Sequence, residues 1–411
     1  MNTFDSRNVY RAVVVVAILS IAFFIARLFP YIERPTAGFM AYFTAGKLLA
    51  THHDLSILYE GKQFHDSIPI VSNSSVEDEY RANPPTLSIL FLPLTVFSAS
   101  QGKLVWEVVS FIAVLISLLL LRKYFYLEKI EFIAFTGLTF AFTPVYINFV
   151  YGQLYGVLFL LHVILLGCWK SKKMFATSIA IALMLSLKGY GVLFLVLALF
   201  LREWRLIAYS LLNYVLLLIG SLFVVGTGTW SAYFSALEAL LVSSPIAVTF
   251  QQNIQSFIGF FFLNYSLHGT PIVHWANMVQ PVIGASCIIG ISIVFWLSRN
   301  SSHASIAIPF SSAVIIGVMF APRLFDYHYS FFLIPFLVCY KELSHAATKR
   351  ELAGFGVSLF LLSTKIPYYY SIFQNTWLGI FGFPRIYGGV ILLWLLYRIA
   401  HRNISHRTLP Q

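Results

Sequence analysis

Long apolar runs recur along the whole chain and are separated by short polar loops. A helix that crosses a bilayer needs about 20 apolar residues, and fewer where flanking side chains reach the surface. Charged residues make up only 10% of the chain, whereas a soluble domain carries about 25%. We therefore predict an all-α membrane protein, with residues 1–411 forming one multi-spanning domain of about 12 transmembrane helices. The predicted crossings lie at about 9–29, 103–121, 132–149, 152–169, 173–187, 189–201, 205–227, 276–298, 304–320, 329–341, 352–369 and 386–400.

The basic residues predict the orientation of these helices. The net charge is +11, and Lys and Arg concentrate in short loops, as they do on the cytoplasmic side of membrane proteins. This distribution explains the positive charge without a nucleic-acid partner. Alternation from the basic loops makes two long loops external, at residues 30–102 and 228–275.

Two segments of the first external loop are predicted to enter or touch the membrane without crossing it. Residues 85–98 are apolar but short, and Pro93 interrupts them, which is typical of a re-entrant or interfacial segment. Residues 36–50 place Phe39, Tyr42 and further apolar side chains near one helical face. Such a pattern favours a helix that lies in the membrane interface.

The first external loop is also rich in carboxylates. Seven of the 16 acidic residues of the chain lie there: Glu33, Asp54, Glu60, Asp66, Glu77, Asp78 and Glu79. We interpret the loop as the external wall of an active site. Its run of three acids at 77–79 is most simply a solvated surface, and nothing in the sequence requires a divalent metal.

Polar residues lie at the predicted external ends of later helices, where ionisable groups commonly face a functional cavity. Structural roles remain open for them. Lys188 can extend its ammonium group to the surface, Arg323 and Asp326 can pair along one helical turn, and Gln153 can bond to a neighbouring helix. His328 can be an interfacial residue without chemistry.

The chain lacks the sequence signatures of several classes of enzymes and transport proteins. The sequence has no GxxxxGK[ST], HExxH or GxSxG motif, and span centres contain almost no charged residues, which argues against an ion pump. The three cysteines, Cys168, Cys287 and Cys339, lie in apolar runs and indicate neither a disulfide framework nor a thiol catalyst.

An ordered set of stretches carries a family resemblance: GFMAYFTAGKLLA, NPPTLSILFLPL, VYGQLYGVLFLL, LSLKGYGVLFLVLALFLREWR, NIQS and APRLFDYHYSFFLIP. The set covers about residues 30–350 and resembles the GT-C superfamily of polytopic glycosyltransferases. More narrowly, it is similar to family 87, which includes the polyprenyl-phosphate-mannose-dependent mannosyltransferases of mycobacterial glycolipid assembly. The resemblance implies a GT-C-like bundle in a bacterial plasma (inner) membrane, with interfacial helices in the first external loop and the active site facing outside.

The resemblance also implies roles for single residues. A carboxylate of the first external loop serves the family as general base, and Gln153, Lys188 and His328 match polar positions close to the donor phosphate and sugar. One position departs from the family's D-F-x-x-Y-x-x-A pattern. Phe39 and Tyr42 fit it, but glycine occupies position 38, where the family has an aspartate.

Glycine cannot accept a proton, so either another acid acts as the base or the chain does not catalyse this reaction. Glu33 is the first candidate, because Pro35 lies between it and Gly38 and a turn there brings the two close. Asp54 and Asp66 of the same loop are the next candidates.

Displacing a polyprenyl phosphate from a sugar requires a base for the acceptor hydroxyl and positive charge for the departing phosphate. We predict a membrane glycosyltransferase that moves mannose, or another hexose or a pentose, from a polyprenyl-phosphate-linked donor to a glycolipid or polysaccharide acceptor, with no cofactor besides the donor. The alternatives are an inactive lipid-binding relative and a transporter or flippase of lipid-linked sugars. The predicted substrate-binding residues are Tyr42, Arg81, Gln153, Lys188, Asn253, Gln255, Arg323, Asp326 and His328.

Overall fold

The computed structural model describes residues 6–51, 54–72, 75–80, 83–242, 248–263, 275–300, 306–364, 373 and 377–405. Within these ranges the chain forms α-helices and short 3₁₀-helices and no strand, which agrees with the all-α prediction. The chain divides into two compact units. The first unit comprises Met1–Leu195 and Trp204–Ser243, and the second comprises Val196–Glu203 and Ser244–Gln411.

The helices of the described ranges follow one another with short connections. The α-helices are α1 (Ser6–Leu28), α2 (Phe39–Ala50), α3 (Gly61–Ser72), α4 (Thr86–Phe91), α5 (Ala99–Phe125), α6 (Lys129–Ala141), α7 (Thr143–Val150), α8 (Tyr155–Lys170), α9 (Met174–Lys188), α10 (Gly191–Phe200), α11 (Trp204–Val225), α12 (Thr227–Val242), α13 (Ile254–Phe262), α14 (Val279–Asn300), α15 (Ala307–Phe320), α16 (Leu333–Ala346), α17 (Lys349–Ser363) and α18 (Pro384–Ser405). The 3₁₀-helices are Phe29–Tyr31, Leu55–Tyr59, Leu92–Val96, Ala276–Met278, Asp326–Phe332 and Trp377–Gly382.

Four helices of the described ranges are long and apolar enough to span a membrane: Arg7–Tyr31, Ala99–Phe125, Trp204–Val225 and Val279–Asn300. A fifth candidate is the pair α6 and α7, which bends by 52°. The bend follows from the extended backbone of Phe142 and from Pro144 in the first turn of α7, where proline disfavours a continuous helix. Other apolar helices have only 10–17 residues, so the number of twelve crossings stays a prediction.

Both short segments of the predicted first external loop are helical. The helix α4 and the 3₁₀-helix after it together cover about 20 Å, which is less than the ~30 Å of a hydrocarbon core. The helix α2 forms where an interfacial helix is predicted, but it is buried on nearly every side, including the polar Thr44. The helix α2 is thus a core helix of the first unit, and its position in the membrane interface stays a prediction.

The second unit also buries polar groups between its helices. The hydroxyl of Ser358 on α17 donates a hydrogen bond to the carbonyl oxygen of Gly388 on α18 at 2.7 Å. Arg385, in the first turn of α18, is fully buried. These contacts join α17 and α18 closely.

Small residues allow helices of the first unit to approach each other. A Cβ atom on Gly137 of α6 would lie 2.8 Å from the Cα atom of Ala17 on α1. A Cβ atom on Gly156 of α8 would lie 3.2 Å from the carbonyl oxygen of Ser110 on α5. Close packing across small residues is a common way for membrane helices to associate.

The close contact of α1 with α6 predicts that two Gly→Ala substitutions differ in their effect on stability. Gly137→Ala is expected to lower the thermal unfolding midpoint in detergent, because overpacking costs about 1–3 kcal/mol. Gly220→Ala on α11, where an added Cβ would meet no packing neighbour within 4 Å, is expected to leave the midpoint unchanged or raise it, because alanine favours helix by about 0.5–1 kcal/mol. Equal midpoints for the two variants would contradict the close approach.

Candidate active site

A carboxylate from a distant loop binds the N-terminus of α2. Asp78 Oδ2 accepts hydrogen bonds from the backbone N–H groups of Gly38, at 2.5 Å, and Ala41, at 2.8 Å. These are the two N–H groups that the side chains of a capping box normally satisfy. Gly38 precedes the helix and has no side chain, so Asp78 provides the cap from 40 residues along the chain.

Position 38 has no room for a side chain. Its φ angle is +92°, and a Cβ atom there would lie 1.7 Å from Nε2 of Gln153 and 3.0 Å from the carbonyl oxygen of Tyr151. The next residue, Phe39, donates its N–H to the same carbonyl oxygen at 2.9 Å. Glycine is therefore required where α2 begins against the turn that carries Gln153.

That turn connects α7 to α8 and is fixed by hydrogen bonds. Trp106 Nε1 donates to the carbonyl oxygen of Gly152 at 3.0 Å. The N–H groups of Gln153 and Tyr155 donate to the backbone and side-chain oxygens of Asn148, at 2.9 Å and 3.0 Å. The position of the Gln153 side chain is thus set by the fold around it.

A buried ion pair supports the same turn from α5. Lys103 is fully buried, and its Nζ donates to Glu107 Oε1 at 2.7 Å and to the carbonyl oxygen of Phe149 at 3.3 Å. Phe149 belongs to the last turn of α7, where carbonyl groups lack helical partners and favour a cation. Lys103 therefore has a structural role in ending α7.

Three of the predicted substrate-binding residues come together in the first unit. The hydroxyl of Tyr42 donates to Gln153 Oε1 at 2.6 Å. The ammonium group of Lys188 lies over the rings of Tyr42 and Tyr155, 5.3 Å and 5.8 Å from their centroids. The Nζ atom of Lys188 also donates to Asn83 Oδ1 at 2.5 Å.

The end of α9 places Lys188 at this position. Gly189 has a φ angle of +72°, and a left-handed glycine is a common end of a helix. The hydroxyl of Thr86, at the start of α4, donates to the carbonyl oxygen of Ser186 in the last turn of α9. Half-buried Lys188 therefore projects from a fixed helix end, where the helix dipole favours a positive charge.

Burial changes the acidity of Asp78. Loss of solvation raises the pKa of its carboxyl group to about 6, because the ionised form is disfavoured away from water. The hydrogen bonds from Gly38, Ala41 and Glu79, and the positive charge of Lys188, lower the pKa and partly offset this effect. Asp78 is therefore mostly ionised at pH 7 and can still take up a proton near neutral pH, as a general base must.

The three acids that the sequence favoured as base lie on the surface. Glu33, Asp54 and Asp66 are exposed. The Asp54 carboxylate accepts hydrogen bonds from the N–H and hydroxyl groups of Ser56 at 2.9 Å and 2.8 Å and caps the 3₁₀-helix that follows. A catalytic role for any of the three stays a prediction. Within the described ranges, no three His, Cys, Asp or Glu side chains are grouped as metal ligands would be.

The predicted residues of the second unit have structural partners. Asp326 Oδ1 pairs with Arg385 Nε at 2.7 Å, although the sequence suggested Arg323 as its partner. Pairing three residues apart requires a helix, but Arg323 has a φ angle of +51° in the turn between α15 and the next 3₁₀-helix. Arg81, the remaining predicted cation of the first external loop, lies outside the described residues.

Asn253 and His328 stabilise helix ends in the second unit. Asn253 Oδ1 accepts the N–H of Ser256 at 2.7 Å and caps α13. His328 Nδ1 lies 3.2 Å from the backbone nitrogen of Phe325 and 3.0 Å from its carbonyl oxygen, so its ring bonds to the backbone of Phe325 in either tautomer. Gln255 lies half-buried on α13. A role for these residues in binding substrate stays a prediction.

The sequence did not indicate a role for Asp78, because the acidic residues at 77–79 were interpreted together as one solvated surface. Side-chain exposure alternates in this stretch: Glu77 and Glu79 are exposed, whereas Asp78 is half-buried and Tyr80 fully buried. An alternating pattern, with Val76, Asp78 and Tyr80 on one side, was the available signal. Other polar residues missed by the sequence analysis are Asn83, Lys103, Glu107, Tyr155, Gln252, Tyr329 and Arg385.

The fold and this site define a class of helical membrane protein in which a cation and a carboxylate lie near helix ends. The model of glycosyltransferase family 87 matches residues 82–322, more than half of the chain, and the chain belongs to this family. It is thus a membrane glycosyltransferase by family. The match includes Gln153 and Lys188 and begins after Gly38 and Asp78. No curated protein and no solved structure matches the chain.

The packing at position 38 predicts that a side chain there destabilises the protein. Gly38→Ala combines an unfavourable φ angle, which costs about 1–3 kcal/mol, with the clash against Gln153. Gly226→Ala is the matched control, because Gly226 has a φ angle of +80° and a Cβ atom added there would meet no packing neighbour within 4 Å. We expect Gly38→Ala to have the lower unfolding midpoint of the two in detergent. Gly38→Asp, which introduces the acid that the family resemblance implies at this position, is expected to be destabilised at least as much.

A Gly38→Ala variant as stable as the Gly226→Ala variant would show that Gln153 can leave its position without cost. The contact between α2 and the turn after α7 would then not explain the glycine.

Proposed function

We propose that the chain transfers one sugar from a polyprenyl-phosphate-linked donor to an acceptor hydroxyl on the external face of the membrane. The sugar is mannose, another hexose or a pentose, and the acceptor is a glycolipid or a polysaccharide. The observation that carries this proposal is Lys188, whose half-buried ammonium group lies over two tyrosine rings and is oriented by a neutral amide.

The charge of Lys188 suits a leaving phosphate. Negative charge develops on the phosphate oxygen as its bond to the anomeric carbon breaks, and a fixed cation stabilises that charge. Asn83 is uncharged, so it positions the ammonium group without neutralising it. Burial lowers the pKa of Lys188 to about 7, and the negative charge of Asp78 opposes this shift; a phosphate bound beside Lys188 would favour its charged form in the same way. A cation near a low-dielectric boundary also interacts more strongly with a phosphate than a cation in water does.

The surroundings of Lys188 suit a lipid-linked sugar. The rings of Tyr42 and Tyr155 are buried and form the apolar support on which the ammonium group lies, and the bond from Tyr42 to Gln153 fixes one of them. The helix α11 of the same unit exposes large apolar side chains such as Leu216 and Phe223. Such a surface keeps the unit in lipid, where a polyprenyl chain dissolves.

The proposed reaction is a single displacement. The acceptor oxygen forms a bond to the anomeric carbon while the bond from that carbon to the phosphate oxygen breaks. Polyprenyl phosphate leaves with the electron pair, and the acceptor proton passes to a carboxylate of the first external loop. A single displacement inverts the configuration at the anomeric carbon.

Gly38 favours a second candidate, an inactive relative that binds a polyprenyl lipid without transferring its sugar. This candidate predicts donor binding without turnover. Transport of a lipid-linked sugar is the third possibility and predicts movement of the donor across the bilayer without release of polyprenyl phosphate.

Transfer by the purified protein in lipid nanodiscs tests the proposal. Polyprenyl-phosphate-linked mannose, glucose and arabinose are supplied with a pool of membrane-lipid acceptors, and release of polyprenyl phosphate is followed. We expect acceptor-dependent release from one donor. Lys188→Met is expected to lower the rate by about 10²- to 10³-fold, as expected for loss of a group that stabilises developing charge.

Lys62→Met is the matched control, because Lys62 is exposed on α3 of the same unit and is expected to keep the full rate. Donor binding without release would favour the inactive relative. A Lys188→Met variant as active as Lys62→Met would contradict the proposed role of Lys188 in the reaction.

A further inference from the structure

We propose that Asp78 is the general base of this transfer and takes the proton of the acceptor hydroxyl as its oxygen attacks the anomeric carbon. The inference rests on the proposed function and names the loop carboxylate that this function requires.

The first argument is the fixed position of the carboxylate. Gly38 and Ala41 each donate an N–H to Oδ2, and Glu79 donates its N–H to Oδ1 at 2.9 Å. A carboxylate has about four positions for hydrogen-bond donors. Among the described residues these three amides occupy three of them, which leaves one on Oδ1 for an acceptor hydroxyl.

The second argument is where the carboxylate lies. Ala41 is the third residue of α2. Its N–H is the group that the side chain of the residue just before the helix, here position 38, normally caps. Asp78 therefore places its carboxylate where an acid at position 38 would place one. The missing acid at position 38 is replaced in space by an acid from another part of the chain.

The third argument is the proximity of the two charges that the reaction needs. Lys188 is near enough to Asp78 for its charge to act on the carboxyl group, and Tyr42, over which Lys188 lies, is on the helix that Asp78 caps. A base for the acceptor and a cation for the leaving phosphate thus belong to one site in the first unit.

If Asp78 acted only as a helix cap, its negative charge would be expected to stabilise the folded state. The pKa of Asp78 is raised from 3.8 to about 6 in the folded state, so between these values the folded chain binds more protons than the unfolded chain. Stability therefore falls as pH rises through this window, and the charge is unfavourable for folding at pH 7. A residue that holds a costly charge in position suits chemistry better than stabilisation.

Asp78→Asn separates these roles, because asparagine keeps an oxygen that accepts from the Gly38 and Ala41 amides but cannot take the proton. We expect turnover at saturating donor to fall by about 10²- to 10⁴-fold, with donor affinity unchanged and the unfolding midpoint not lowered. Glu77→Gln is the matched control, since Glu77 is exposed in the same run and is expected to keep full turnover.

The wild-type protein provides a test that needs no variant. Its turnover is expected to decrease below pH 6 by about tenfold per pH unit, as the base becomes protonated. This acidic limb is expected to be absent from the residual turnover of Asp78→Asn. Turnover that does not change between pH 5 and 8 would overturn the assignment even if Asp78→Asn does not fold.

The outcomes distinguish the base from the function. Transfer by the wild type together with full transfer by Asp78→Asn would overturn the base alone, and Glu33, Asp54 and Asp66 would be the next to replace. A parallel loss of donor binding and of the unfolding midpoint in Asp78→Asn would assign a structural cap. Absence of transfer by the wild type with every donor would overturn the proposed function and the base with it.

Discussion

The helix α2 depends on a carboxylate that its own residues do not provide. The N–H groups of Gly38 and Ala41 depend on Asp78 for a partner, since Gly38 has no side chain to cap the helix. The same bonds hold the acidic segment at 75–80 against the helix. Tyr42, one turn along α2, then meets Gln153 and lies beneath Lys188. The arrangement of the candidate site therefore follows from the way this one helix begins.

Two lysines of the first unit differ in their hydrogen-bond partners, and this difference indicates a structural role for one and a binding role for the other. Lys103 is fully buried and has Glu107 at 2.7 Å. Such a pair is a structural solution, because burying either charge alone would cost several kcal/mol. Lys188 is half-buried, its hydrogen bond goes to the neutral amide of Asn83, and the charge of Asp78 acts on it without a direct ion pair among the described contacts. Its ammonium group is therefore oriented by a neutral group, which leaves its hydrogen-bonding capacity for an anionic ligand.

The sequence predicted the helical class and several of the polar residues, because hydrophobic runs and polar interruptions are local signals. It did not predict where helices bend or end, so the long run before Tyr151 was taken as one crossing although α6 and α7 bend at Phe142. The sequence also did not predict contacts between residues that are far apart along the chain. Asp326 pairs with Arg385, 59 residues away, and no local spacing indicates such a contact.

The resemblance to family 87 implies an acid at position 38, and its absence was visible in the sequence, but the carboxylate of Asp78 beside that position was not. A motif describes an order of residues along the chain, whereas a reaction requires a group at a point in space. With Gln153 where it is, position 38 must be glycine, and the amides at the start of α2 must be satisfied from elsewhere. Asp78 satisfies the amides of Gly38 and Ala41, so its carboxylate lies at the start of α2, near position 38. By our proposal, the glycine then changes which segment provides the acid and does not by itself remove the acid from the site.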